Sequence, residues 1–231
     1  MVMDTVILAA GRGSRVERLV PPFFKPMMVV NGRPLISSAI SEAGRIGSTR
    51  IIVVAAPENA AALSHYLPSE GPLRMVVQLR PTGPGDGLLL GLDLVRSSRV
   101  LVLMGDNVFG PSDVPSVAKG GWHLAGSPNA EGADAVVGVR HLDDPTAFTR
   151  LRSNGTWVEK TEALPEDFPE GRSKCWVGPL AAKTEKLQDA IQRQSRNDAG
   201  ERAIGPALNR MEKVATVRVE TYDIGIPEAW T

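Results

Sequence analysis

Five apolar residues, Val6 to Ala10, run straight into Gly11-Arg12-Gly13-Ser14-Arg15. A short apolar run that stops at glycine reads as a buried strand feeding a tight turn. The end of such a strand presents backbone N–H groups to an anion. Two arginines lie in the turn, and Lys25 follows ten residues after Arg15, between Phe24 and Pro26. Fixed cations beside those N–H groups suit a polyphosphate better than a single carboxylate. A glycine-rich βα turn of no special function is the plain alternative. Val16 stands where a dinucleotide fingerprint has its third glycine, and no Gly-Lys-Ser/Thr follows, so neither common phosphate loop is present.

The rest of the first half alternates strand and helix signals. Thr5–Ala9, Ile51–Ala55, Met75–Gln78 and Val100–Met104 read as strands. Pro34–Ile46, with an apolar stripe and proline at its first turn, reads as a helix, as do Glu58–Tyr66 and Gly87–Val95. That alternation predicts a parallel sheet with helices on both faces. Ligands of such sheets bind beyond the carboxyl ends of the strands, where both Gly11 and Gly105-Asp106 fall. In the second half Ala135–Val139, Phe148–Leu151, Thr156–Glu159, Cys175–Ala181 and Val214–Thr221 read as strands of a mixed sheet. Thr184–Gln194 and Gly205–Met211 read as helices, and Gly110–Pro115, Gly126–Gly132 and Leu164–Arg172 as loops. The expectation is one domain over residues 1–231, in two parts (1–133 and 134–231) on a shared sheet. The fold class is α/β, a three-layer Rossmann-like sheet, mixed but mainly parallel, with a smaller mixed lobe.

Composition excludes some classes. Lys+Arg and Asp+Glu balance at 26 each, which argues against a dedicated nucleic-acid or membrane-surface binder. No apolar run approaches the roughly 18 residues of a membrane span. The start, Met-Val-Met-Asp, has no secretory pattern, and the single Cys175 has no disulfide partner within the chain, so a cytoplasmic setting is expected. Cys175 reads as a small buried hydrophobe. His65, His123 and His141 show no metal spacing, and the four tryptophans are scattered.

Leu8-Ala9-Ala10-Gly11-Arg12-Gly13-Ser14-Arg15, followed by Lys25-Pro26, resembles the signature of the sugar-1-phosphate nucleotidylyltransferases. Gly105-Asp106-Asn107, Glu159-Lys160, Val177-Gly178, Gly200-Glu201 and Asp223-Ile224-Gly225 extend the resemblance in the family's order. It implies a GT-A-like fold and transfer of a nucleotidyl group from a nucleoside triphosphate to a sugar 1-phosphate, with release of pyrophosphate. By the same resemblance, Leu8, Ala9, Ala10, Gly11, Gly13 and Ser14 wrap the nucleotide. Arg15 and Lys25 hold the departing pyrophosphate, where charge builds as the bond to the α-phosphorus breaks. Asp106 and Asp223 bind one Mg²⁺. Glu159 takes sugar hydroxyls, Lys160 the sugar phosphate, and Val177 and Gly178 line the sugar pocket. Gln78 and Gly87 read the base. The attacking phosphate oxygen is already an anion, so Lys160 has a positioning role and no general base is required. The implied partners are the two substrates, with a homo-oligomer within the family's range.

Each residue has a plain alternative: a turn or N-cap aspartate for Asp106, an exposed ion pair for Glu159-Lys160, a bulge glycine for Gly178, a surface amide for Gln78. Thr149 stands where many members have a glycine, and Ile226 replaces a threonine. The chain stops at Thr231, so a regulatory-nucleotide site carried by later helices is expected to be missing. Gly-Asp-Asn-Val-Phe-Gly resembles the thymidylyltransferase stretch and favours dTTP or UTP. Three rivals are weighed: a transferase of the same fold acting on another acceptor (a cytidylyltransferase of an alcohol phosphate or a molybdopterin-type nucleotidyltransferase); a glycosyltransferase, which would want Asp-x-Asp where Asp106-Asn107-Val108 lacks the second acid; and a non-catalytic nucleotide-binding regulator.

Overall fold

The structure is a computed structural model, and it describes residues 3–11, 25–68, 70–123, 132–143, 148–159 and 173–223. Side chains of 120–123 are outside that description. The strands of the first half are β1 (Asp4–Ala9), β2 (Val29–Val30), β3 (Arg33–Pro34), β4 (Ile51–Ala55), β5 (Leu73–Val77), β6 (Arg99–Met104) and β7 (Asn107–Val108). Those of the second half are β8 (Ala135–Leu142), β9 (Arg150–Leu151), β10 (Trp157–Val158), β11 (Ser173–Lys183), β12 (Val214–Arg218) and β13 (Tyr222–Asp223). The α-helices are α1 (Ile36–Arg45), α2 (Pro57–Tyr66), α3 (Pro84–Leu92), α4 (Asp113–His123) and α5 (Thr184–Gln192), with 3₁₀ turns at Lys25–Met27 and Pro206–Arg210.

Four parallel strands, in the order β6-β1-β4-β5, form the first half of a nine-stranded sheet. Their side chains are buried on both faces, which is why the strands are continuous apolar runs and not alternating ones. On one face Ile7, Val53 and Leu103 pack with Ile36 and Ala39 of α1, Leu63 of α2 and Val114 and Val117 of α4. On the other, Val6, Val54 and Val102 pack with Leu88 and Leu92 of α3 and Leu187 and Ile191 of α5. The expected mainly parallel α/β sheet is therefore the observed one.

β11 joins the two halves. Its second part, Leu180–Lys183, pairs antiparallel with β6, while its first part, Lys174–Cys175, pairs with β9. Both parts pair with β8, but the register slips between Trp176 and Leu180. The slip falls on Val177-Gly178-Pro179, the point at which β11 changes neighbours.

Three readings need correction. Pro34 is not in a helix: it pairs with Val29 across the β2–β3 hairpin, and α1 starts at Ile36. The cause is Asn31-Gly32, whose φ values of 51° and 77° suit the two-residue turn of a tight hairpin. Residues 113–115 are not a loop but the first turn of α4. Pro115 is tolerated there because early helical N–H groups have no intrahelical partner. Finally, Val214–Thr221 is not one strand. β12 ends at Arg218, and a separate ribbon pairs β13 with β7.

Candidate active site

The carboxyl ends of β1 and β6 lie side by side, with Leu8 opposite Met104. The Gly105 N–H donates to the Leu8 carbonyl at 2.9 Å. A Cβ at Gly105 would lie 3.2 Å from Ala9 Cβ and 3.3 Å from that carbonyl oxygen, so glycine lets the chain cross close over β1. The end of β1 is held from the other side. Asn59, fully buried in α2, donates through Nδ2 to the Ala9 carbonyl at 2.7 Å and accepts the Ala56 N–H at 2.8 Å.

Asp106 emerges at this edge, and the short ribbon brings Asp223 beside it, in register with Asn107. Lys25 lies between them. Its Nζ donates to Asp106 Oδ2 at 2.8 Å and to Asp223 Oδ1 at 3.1 Å. Burial opposes charge on Lys25, but the two carboxylates outweigh it and hold the ammonium above its ordinary pKa. Burial, with the Asp223 charge adding to it, lifts the Asp106 carboxyl above the ordinary carboxylate range despite Lys25. The arrangement is therefore a pair of acids around one cation. Among the described residues no three His, Cys, Asp or Glu side chains form a metal cluster. Two carboxylates that already surround an ammonium nevertheless fit a hard divalent ion whose other positions are filled by phosphate oxygens.

A second group lies at the end of β5. Gln78 is buried, and its Nε2 donates to the Gly83 carbonyl at 3.0 Å. A Cβ at Gly87 would stand 2.8 Å from Gln78 Oε1, so the amide rests against the start of α3. This turn is braced from the second half of the chain. Gly85 N–H donates to the Arg202 carbonyl at 2.8 Å, and Arg202 N–H to the Thr82 carbonyl at 2.9 Å. Asp86 forms ion pairs with Arg202 at 2.8 Å and Arg196 at 2.7 Å. Sequence reasoning singled out Gly87 but not the two arginines, which come from over a hundred positions away.

The third group belongs to the second half. Glu159 follows β10, and its Oε1 accepts the Thr149 hydroxyl at 3.5 Å. Thr149 fills the space that a Cβ at Gly205 would take. Val177 and Gly178 are buried at the slip in β11. The Val177 carbonyl accepts Asn107 Nδ2 at 2.9 Å. A Cβ on Gly178 would lie 2.7 Å from Thr221 Cγ2, so its glycine makes room for a neighbouring chain segment. Arg12, Gly13, Ser14, Arg15, Lys160 and Ile226 fall outside the described residues. Leu8, Ala9, Ala10 and Gly11 form the β1 end described above. Cys175 is buried in the core. No described helix is long and apolar enough to cross a membrane.

Acids and a lysine from distant segments thus converge at the carboxyl edge of a mainly parallel α/β sheet, the edge where ligands of such sheets bind. The chain belongs to the MobA-like NTP transferase domain family, whose match covers residues 5–209. It is 27% identical over 223 residues to the bifunctional protein GlmU of Thermotoga maritima, covering 94% of this chain and 46% of that protein. To GlmU of Parvibaculum lavamentivorans it is 26% identical over 196 residues, covering 84% and 42%. The chain thus spans under half the length of these relatives. Among solved structures, a UDP-glucose pyrophosphorylase with bound UDP-glucose superposes with a TM-score of 0.78 at 19% identity, covering 100% of this chain and 96% of that one. A Bacillus anthracis protein described as a candidate glucose-1-phosphate thymidylyltransferase, bound to sucrose, gives 0.79 at 22%, covering 99% and 92%. At those identities the likeness speaks for the fold.

Proposed function

We propose that this chain is a nucleotidylyltransferase that joins a nucleoside triphosphate, dTTP or UTP, to a sugar 1-phosphate and releases pyrophosphate. One observation carries the reading. Asp106 and Asp223, from opposite halves of the chain, meet around a buried lysine at the carboxyl edge of the parallel strands. A phosphoryl-transfer site needs such a place, because the reaction is catalysed by positioning and by charge neutralisation. The GlmU relatives and the pyrophosphorylase neighbour support the substrate classes.

In this reading Asp106 and Asp223 would hold one Mg²⁺, which would supply positive charge against the phosphates. Lys25, bound to both carboxylates, is placed to turn toward the phosphates once the acids have another cation. Arg15 shares that task. The Gly11 turn takes the triphosphate, Gln78 and Gly87 face the base, and Glu159, Lys160, Val177 and Gly178 take the sugar phosphate. The α-phosphorus is attacked in line by the sugar phosphate oxygen, and the bond to the β-phosphate oxygen breaks. Residues 1–133 and 134–231 act as one domain, with the two substrates held from the two sides.

The test is a matrix of nucleoside triphosphates against sugar 1-phosphates, read by pyrophosphate release. Turnover with dTTP or UTP and a hexose 1-phosphate is expected, with none in excess EDTA. A second reading keeps the transfer and changes the acceptor, since the family is described as MobA-like. Release with CTP and an alcohol phosphate, or with GTP and a pterin phosphate, in place of any sugar phosphate would select it.

A further inference from the structure

We propose that Asp113 is a positioning residue for the Asp106–Asp223 pair, acting through the β7–β13 ribbon. The inference rests on the reading that this pair binds the divalent cation. Asp113 is the first residue of α4 and is only 5% exposed. Its Oδ2 accepts the Gly110 N–H at 2.9 Å and the Thr221 hydroxyl at 2.8 Å, and its Oδ1 accepts the Glu220 N–H at 2.9 Å. An aspartate at a helix start ordinarily spends its oxygens on N–H groups of its own first turn. All three of these donors lie outside α4.

Their places in the chain give the arrangement its meaning. Gly110 follows β7, and Glu220 and Thr221 lead directly into β13. In the ribbon Val108 lies opposite Tyr222 and Asn107 opposite Asp223, with Asp106 at the open end. Asp113 therefore closes the other end, one carboxylate gripping both strands. A two-residue ribbon has too few ladder bonds to hold its own register. Two further contacts hold it down: Asn107 Nδ2 donates to the Val177 carbonyl at 2.9 Å, and fully buried Thr221 fits against Gly178. Gly178 and Val177 thus acquire a role in seating the acid pair.

The experiment measures Mn²⁺ binding by water-proton relaxation, with Mn²⁺ alone, in wild type, Asp113→Asn, Thr221→Val and Asp223→Asn. Metal-free thermal unfolding is recorded for each. Partners that orient metal ligands are worth about 10–100-fold in affinity. Asp113→Asn should weaken Mn²⁺ about 10-fold, at the lower end of that range. Thr221→Val, which keeps the shape and removes one hydroxyl, should weaken it less and carries the test if Asp113→Asn does not fold. A lowered unfolding temperature with wild-type Mn²⁺ affinity in these two variants overturns the inference, since a role confined to folding gives that result. If Asp223→Asn loses Mn²⁺ in the same experiment, the functional reading stands without it. If Asp223→Asn binds Mn²⁺ like wild type, both fall.

Discussion

Lys25→Met removes an ammonium and keeps most of its apolar stem. The wild-type Nζ makes two charge-assisted bonds, of 2.8 and 3.1 Å, to carboxylates whose side chains are 26% and 20% exposed. Breaking a fully buried ion pair from one side costs about 3–5 kcal/mol, and each hydrogen bond to a charged group contributes about 1.5–3 kcal/mol. Partial exposure and the freedom of one carboxyl to take up a proton reduce the loss to about 2–3 kcal/mol. In a chain of this size that is a drop in Tm of about 5–10 °C. The loss should depend on pH in a stated direction. Without Lys25 the native Asp106 carboxyl sits further above its ordinary 3.8, so the native state binds the extra proton. Stability then falls as pH rises through that raised value, and the gap to wild type widens from acid to neutral pH. Saturating Mg²⁺ should close most of the gap at neutral pH by supplying the missing positive charge. The assay is thermal unfolding by circular dichroism, in EDTA and in Mg²⁺, at acid and neutral pH. A variant within about 1 °C of wild type in EDTA, or one that Mg²⁺ does not stabilise, refutes the idea that these acids form a cation site.

Three further outcomes are expected. Gly205→Ala drives a methyl into Thr149 Cγ2 and should cost about 1–3 kcal/mol in urea unfolding, most of it restored in the double variant with Thr149→Ser, which deletes that methyl. Gly87→Ala places a Cβ 2.8 Å from Gln78 Oε1, so KM for the nucleotide should rise several-fold while KM for the sugar phosphate holds; equal rises would remove Gln78 from base recognition. Burial opposes charge on Asp4, but hydrogen bonds from the Arg96 and Ser97 N–H groups and Thr49 outweigh it and hold its carboxyl below the ordinary 3.8. That stability is present above 3.8 and lost as pH falls through the depressed native value, so the urea midpoint of Asp4→Asn should fall less steeply with acid than that of wild type.

Local chemistry was enough to read much of this molecule from residue order. Val6–Ala10 is apolar at every position and stops at glycine, and only a strand covered on both faces uses such a run. Ile51–Ala55 and Val100–Met104 repeat the pattern, so the parallel sheet and the edge carrying Gly11 and Asp106 were legible. So was the company of Asp106 with Asp223, through the resemblance of their motifs, although no local rule joins them.

What sequence reading missed lies where distant segments decide. Pro34 looks like a helix start, yet the Asn31-Gly32 turn folds it onto Val29, because two positive φ values outrank a proline's preference. α4 was hidden by Pro115 and Gly120-Gly121, residues that weaken a helical signal but are tolerated once Val114 and Val117 enter the core. Lys25 reaches Asp106 across 81 positions and Asp223 across 198, and Asp113 reaches Thr221 across 108. Periodicity reports neighbours two to four residues away and carries no information at such separations. Only the packed sheet, with β11 bridging its halves, brings these groups within hydrogen-bond distance. The residue types were therefore set by the chain, and their meeting at one edge of the sheet was set by the tertiary fold.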